Sequence, residues 1–103
     1  DSTKAYAFLD NVIGKSMPIT FMVILNIDGE IENVNVIKYR EAYGSEVGSK
    51  SWLQQFINFN NNSDYNIGKD IDGISGATIS VKSISKGMKK ITTLYPLIQS
   101  QLK

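Results

Sequence analysis

ITFMVILNIDGEIENVNVIKYRE, residues 19–41, carries the pattern on which the fold turns. Its opening segment, ITFMVILNI, is apolar at nearly every position, as expected of a strand covered on both faces. Asp28-Gly29 follows as a strong hairpin signal. The segment EIENVNVIKYRE should therefore return antiparallel beside the first. Its two-residue period puts Val34 and Val36 on one face and Ile31, Ile37 and Tyr39 on the other. Just upstream, KSMP ending in Pro18 reads as a turn. Before it, KAYAFLDNVIG has Tyr6, Phe8, Val12 and Ile13 between polar residues, which fits a first strand, with a short helix as the alternative. The expectation is a meander of three strands.

Downstream the pattern changes. AYGSEVGSKS is rich in Gly and Ser and reads as a loop, and SWLQ from Ser51 to Gln54 matches a capping box. Trp52, Leu53, Phe56 and Ile57 would give a short helix one apolar face. NFNNNSDYNIGKD is a polar loop. Val81, Ile84, Met88, Ile91, Tyr95, Ile98 and Leu102 then recur at spacings of three and four, the stripe of a long amphipathic helix. Lys82, Lys86, Lys89 and Lys90 lie off the stripe and should be solvated. Gly87 weakens that helix locally, and Pro96 should kink it or end it near Tyr95. The fold class is α+β: an antiparallel sheet with a short helix and a long C-terminal amphipathic helix packed on it.

Composition narrows the chemistry. At 103 residues the chain is one domain with a single modest core. Its net charge of +1 gives no electrostatic case for nucleic acid. With no Cys there is no disulfide, thiolate nucleophile, iron–sulfur cluster or zinc–cysteine site. With no His there is no imidazole base and no histidine haem ligand. Redox chemistry would have to come from a cofactor. Asp70 and Asp72, two apart, are weak grounds for a divalent ion, and no metal or catalytic residue is assigned.

One further stretch, DIDGISGATISVKS from Asp70 to Ser83, crowds small residues directly before the helical stripe. Ser75, Thr78 and Ser80 are all suitable N-caps, and Gly73 and Gly76 permit tight turns. The same run also suits an anion site, because a small-residue loop opening a helix offers free N–H groups and the positive end of the helix dipole. Spacing alone leaves both readings open. It is not a Walker loop, since the Gly-Lys-Ser/Thr ending is missing.

DGISGATIS resembles the attachment motif of the FMN-binding domain family, which includes the small flavin subunits of sodium-pumping NADH:quinone oxidoreductases and exported flavin electron-transfer proteins. In that motif an Asp precedes Ser/Thr-Gly-Ala-Thr, with a further Ser or Thr one residue on. Asp72, Ser75, Gly76, Ala77, Thr78 and Ser80 fill every position. VIGKSMPITFMVILNIDGEIENVNVIKYREAYGSEVG and WLQQF are similar to the family's strand-and-loop region. The family often has Glu-Thr-Pro-Gly after the third strand, where this chain has Glu41-Ala42-Tyr43-Gly44.

The resemblance implies a single FMN-binding domain over 1–103, a fragment or mature domain of a larger exported protein. It implies FMN joined through its phosphate to Thr78 by a flavin transferase, with Asp72, Ser75, Gly76, Ala77 and Ser80 as the recognition frame. Asp72 would help hold the metal and FAD donor during transfer. Ring-wall candidates are Tyr43, Trp52 and Ile74, with core packing the equal alternative for Trp52; Arg40 and Glu46 would flank the pocket. The expected role is an electron carrier, not a stand-alone catalyst. Its partners would be the transferase and a redox protein or membrane electron-transfer complex, and its location extracytoplasmic and membrane-associated. Two alternatives stand beside it: a module of a larger flavin-dependent reductase or membrane regulator, and a non-redox binding domain in which the motif only caps a helix.

Overall fold

A computed structural model describes residues 5–41 and 45–102. Three strands, β1 (Ala5–Ile13), β2 (Pro18–Asn26) and β3 (Ile31–Lys38), form an antiparallel sheet in the order β1-β2-β3. Between sheet and long helix come two 3-10 turns and a four-residue helix, α1 (Lys50–Leu53). The chain ends in α2 (Thr78–Leu102), 25 residues long. This is the α+β architecture expected from the sequence, with β1 a strand and not a helix.

The turn between β2 and β3 follows its chemistry. Gly29 N–H donates to the Asn26 carbonyl at 2.9 Å, and the Asn26 side-chain oxygen accepts from Asp28 N and Glu30 N. Gly29 has a φ of +83°, the left-handed residue that closes a three-residue hairpin loop.

The faces of β2 and β3 differ from the simple alternation. Ile19, Phe21, Val23 and Leu25 are fully buried, but the opposite face of β2 is only half-buried. One layer covers the sheet, not two. In β3, the partners of Ile24 and Leu25 are Asn33 and Ile31, and those of Thr20 and Phe21 are Lys38 and Val36. Glu32 and Ile37 are thus extra residues, two β-bulges. Each bulge restores the inward direction, so Ile31 and Tyr39 join Val34 and Val36 on the core side, and Ile37 is left exposed. A strict two-residue period could not foresee this, because one inserted residue inverts every side chain beyond it.

The core fills the space between this inner face, α1 and α2. Trp52, Leu53 and Phe56 enter from the short helical segment, and Val81, Ile84, Met88, Ile91 and Tyr95 from α2. Ile98 is half-buried. The N-cap of α1 is Ser49, whose Oγ accepts from Trp52 N at 3.3 Å, so the helix starts before the Ser51 capping box read from the sequence.

Two features of α2 also depart from sequence expectation. At Gly87 helix and sheet approach closely, its missing side chain making room for Val12 and Phe21. Pro96 does not end the helix, which continues to Leu102. A proline inside a helix costs about 3 kcal/mol. Here the Ile27 carbonyl accepts from Tyr95 Oη at 2.9 Å and from Gln99 Nε2 at 3.0 Å. These bonds hold the helix on either side of Pro96, and burial of the Tyr95 ring adds to them.

At the sheet edge, Lys90 Nζ lies 2.7 Å from Asp10 Oδ2. Burial pushes the Asp10 carboxyl up, but hydrogen bonds from Lys90 and from Asn11 N–H, with the Lys90 charge, bring it below the ordinary carboxylate value. The folded state therefore binds the Asp10 proton less tightly than the unfolded chain. The stabilisation is present above the ordinary carboxylate pKa and is lost as pH falls through the lowered one. Asp10→Asn should cost only about 0.2–1 kcal/mol near neutral pH, the range of a solvent-reached pair. Urea melts of both chains from pH 7 downward should converge at acid pH; a gap that persists in acid would remove the ion pair as its cause.

Candidate functional site

The residues before α2 form a tight turn. Ala77 N–H donates to the Ile74 carbonyl at 3.0 Å, and Gly76 sits at φ +82°. That left-handed value is what a type II turn needs at its third position, and Gly adopts it without strain. Val81 N–H then bonds the Ala77 carbonyl, so Ala77 occupies the N-cap position. Its methyl group cannot cap.

None of the three hydroxyls suited to capping does so. Ser75 and Thr78 are exposed. Ser80 is 3% exposed, and its Oγ lies 3.3 Å from Tyr39 Oη, pinning the start of the helix to β3. Among the described residues, the N–H groups of Thr78, Ile79 and Ser80 have no hydrogen-bond acceptor. Three donors and the positive end of a long helix dipole are left pointing at one place.

That place is a cleft of about 830 Å³, lined on one side by residues 75–80 and on the other by Lys15, Ser16, Met17, Tyr39, Arg40, Glu41 and Glu46. Its size lies in the range of about 300–1,000 Å³ typical of cofactor sites. The structure thus brings Ser75, Gly76, Ala77, Thr78, Ser80 and Glu46 together, with Arg40 at the rim. Arg40 is engaged elsewhere: its NH1 donates to the Pro18 carbonyl at 2.6 Å and to Thr20 Oγ1.

Asp72, Ile74 and Trp52 line a neighbouring hollow of about 470 Å³, which Glu46 also borders. Trp52 is 7% exposed, packs edge-on against Phe56 at 5.3 Å between centroids, and donates from Nε1 to the Asp72 carbonyl at 2.8 Å. Its place is the core, and it positions the motif backbone from beneath. Gln55 Oε1 accepts from Asp72 N at 2.6 Å, a second hold on the same residue. Asp70 is occupied locally, Oδ2 accepting from Asn66 N at 3.0 Å. Tyr43 lies outside the described residues.

Sequence reading missed the second wall, the Lys15–Met17 turn between β1 and β2. KSMP was legible as a turn, but nothing local says that it faces a motif some 60 residues later. Glu41 brings it there. Its carboxylate accepts from Lys15 N, from Ser16 N and from Ser16 Oγ, the last at 3.1 Å. A side chain at Gly14 would collide with Glu41 Oε1, so that glycine makes the approach possible.

A small α+β domain whose long helix opens, uncapped, onto a cleft of cofactor size is the class of protein defined by these features. The model of the FMN-binding domain family matches residues 14–93, and the chain belongs to that family. No curated protein matches the chain. Its cofactor is accordingly FMN, and the residues present fit it: unsatisfied N–H donors for a phosphate, an exposed hydroxyl beside them, and a cleft large enough for the rest.

Proposed function

We propose that this domain is an electron carrier in which FMN is joined by a phosphoester to Thr78. The observation that carries this reading is the exposed Thr78 hydroxyl at the first residue of an uncapped helix, on the edge of the cleft. The helix start and the exposed motif fit a substrate for a flavin transferase. In the transfer, the Thr78 Oγ–phosphorus bond forms as the pyrophosphate bond of FAD breaks. AMP leaves, and the hydroxyl proton is lost to solvent or base. A threonine hydroxyl is too weak a nucleophile to do this unaided, so the activating groups come from the transferase. The Asp72 carboxylate is exposed and has no partner among the described residues, which suits a role in that encounter.

Once the ester is formed, the free N–H groups of Thr78, Ile79 and Ser80 face its remaining negative charge. Ser80, bonded to Tyr39, keeps the helix start fixed against the sheet. FMN supplies reversible uptake and release of electrons, and the chain holds it in place and limits water around it. Covalent attachment prevents loss of the cofactor where free FMN is scarce, which supports an extracytoplasmic, membrane-associated setting. The electron partners would be a redox protein or a membrane electron-transfer complex.

The test is co-expression with a flavin transferase, followed by intact mass and absorbance after acid precipitation. Retained yellow colour with the mass of one FMN adduct is the expected result. A colourless, unmodified chain under conditions that load a control substrate of the same transferase would overturn the assignment.

A further inference from the structure

Among the described residues the cleft has two cations on its wall, Lys15 and Arg40, and only one is at liberty. Arg40 is tied to the Pro18 carbonyl and Thr20. The Lys15 ammonium has no hydrogen-bond or ion-pair partner among the described residues, although its own N–H is held by Glu41. Ser16 is also spoken for, its N–H and hydroxyl both directed at the Glu41 carboxylate. Glu41 reaches across 25 residues of sequence to make these bonds, and the bare Cα of Gly14 leaves room for it. An exposed turn held this firmly, with one cation left over, lines the same cleft as the first turn of α2 with its free N–H groups.

We propose that Lys15 is the side-chain cation that recognises the phosphate of FMN opposite the start of α2, and that Glu41 is the positioning residue that sets it there. The inference rests on the FMN reading given above. The charges agree with it. The esterified phosphate keeps one negative charge, the helix terminus supplies only partial positive charge, and a flexible ammonium completes the neutralisation. The Glu41 carboxylate keeps its charge, as does Glu46 on the same wall, but the Glu41 oxygens are directed at the turn's own donors and make no ion pair with the Lys15 ammonium among the described residues.

The test compares melting temperatures of the chain with and without its FMN adduct, for wild type, Lys15→Gln, Lys15→Arg and Glu41→Ala, after expression with and without the transferase. The unloaded Lys15→Gln chain should melt with unloaded wild type, since the exposed side chain makes no hydrogen bond or ion pair among the described residues. Its rise on loading should be smaller by roughly 2–5 °C, the weight of one exposed ion pair in a chain of this size. Lys15→Arg should restore the rise. Glu41→Ala should lower the unloaded melting temperature and also the loading rise, and adding Lys15→Gln to it should lower the rise no further. A residue that served the fold alone would change the first quantity and not the second. Equal rises in wild type and Lys15→Gln would overturn the role of Lys15 and leave Thr78 untouched. A wild-type chain that gains no adduct would fell both, with the Thr78 reading identified as the one that failed.

Discussion

Thr78→Ala, co-expressed with a flavin transferase, should emerge without FMN, while wild type should carry one adduct. The expected loss is essentially complete, because no other motif hydroxyl can take over. Ser80 is buried and engaged with Tyr39. Ser75 is exposed, but it lies in the turn before the helix, whereas Thr78 begins the helix whose first N–H groups are free. Thr78→Ser should retain an adduct, since it keeps the hydroxyl at the same place. Ser75→Ala should lower the yield without abolishing it, and Ser80→Ala should load while losing stability. Intact mass decides among these. An adduct on Thr78→Ala that vanishes in Ser75→Ala would move the ester to Ser75.

Gly87→Ala should destabilise the fold, against the trend for helices. In an exposed helix interior, replacing Gly by Ala gains about 1 kcal/mol. Here the new methyl carbon would stand 2.8 Å from Val12 Cγ1 and 2.9 Å from Phe21 Cζ. Carbon atoms prefer about 3.5–4.0 Å. Val12 is β-branched and stiff, and Phe21 is fully buried, so neither yields cheaply. Overpacking costs about 1–3 kcal/mol. The steric cost outweighs the gain in helix propensity, and the melting temperature should fall by several degrees, roughly 4–8 °C for each kcal/mol lost. Thr93→Ala, on the exposed side of the same helix, is the control and should leave the melting temperature level or slightly raised. A Gly87→Ala chain as stable as wild type would mean that helix and sheet are further apart than the structure has them.

Much of the fold was legible because its signals are local. Apolar runs, Asp28-Gly29 and the three-and-four spacing of α2 each act over a few residues and survived in the structure. What escaped depends on partners distant in sequence. Pro96 is tolerated because of the Ile27 carbonyl, and Ser49 supplants Ser51 as the cap because of how the preceding turn is wound. The site divided along the same line. Residues 75–80 are contiguous, so their motif and their cleft coincide. Trp52, readable from the sequence as either ring wall or core, packs in the core, where its indole N–H donates to the Asp72 carbonyl while its edge lines the neighbouring hollow. Lys15 carried no signal, and Glu41 was visible only as the first residue of the loop after the third strand, with nothing local to say that it holds the Lys15 turn.

The bulge at Ile37 bears on how this domain can diverge. Beyond it, Tyr39 and Glu41 face the cleft side, while Arg40 lies over Pro18 and Thr20. Loss of that single residue would leave every neighbouring amino acid unchanged and yet exchange their directions. Tyr39 would leave Ser80, Glu41 would release the Lys15 turn, and Arg40 would lose Pro18 and Thr20. This chain should therefore accept substitutions along β3 more readily than one change in its length, and the count of residues between Phe21's partner and Glu41 is itself part of the site.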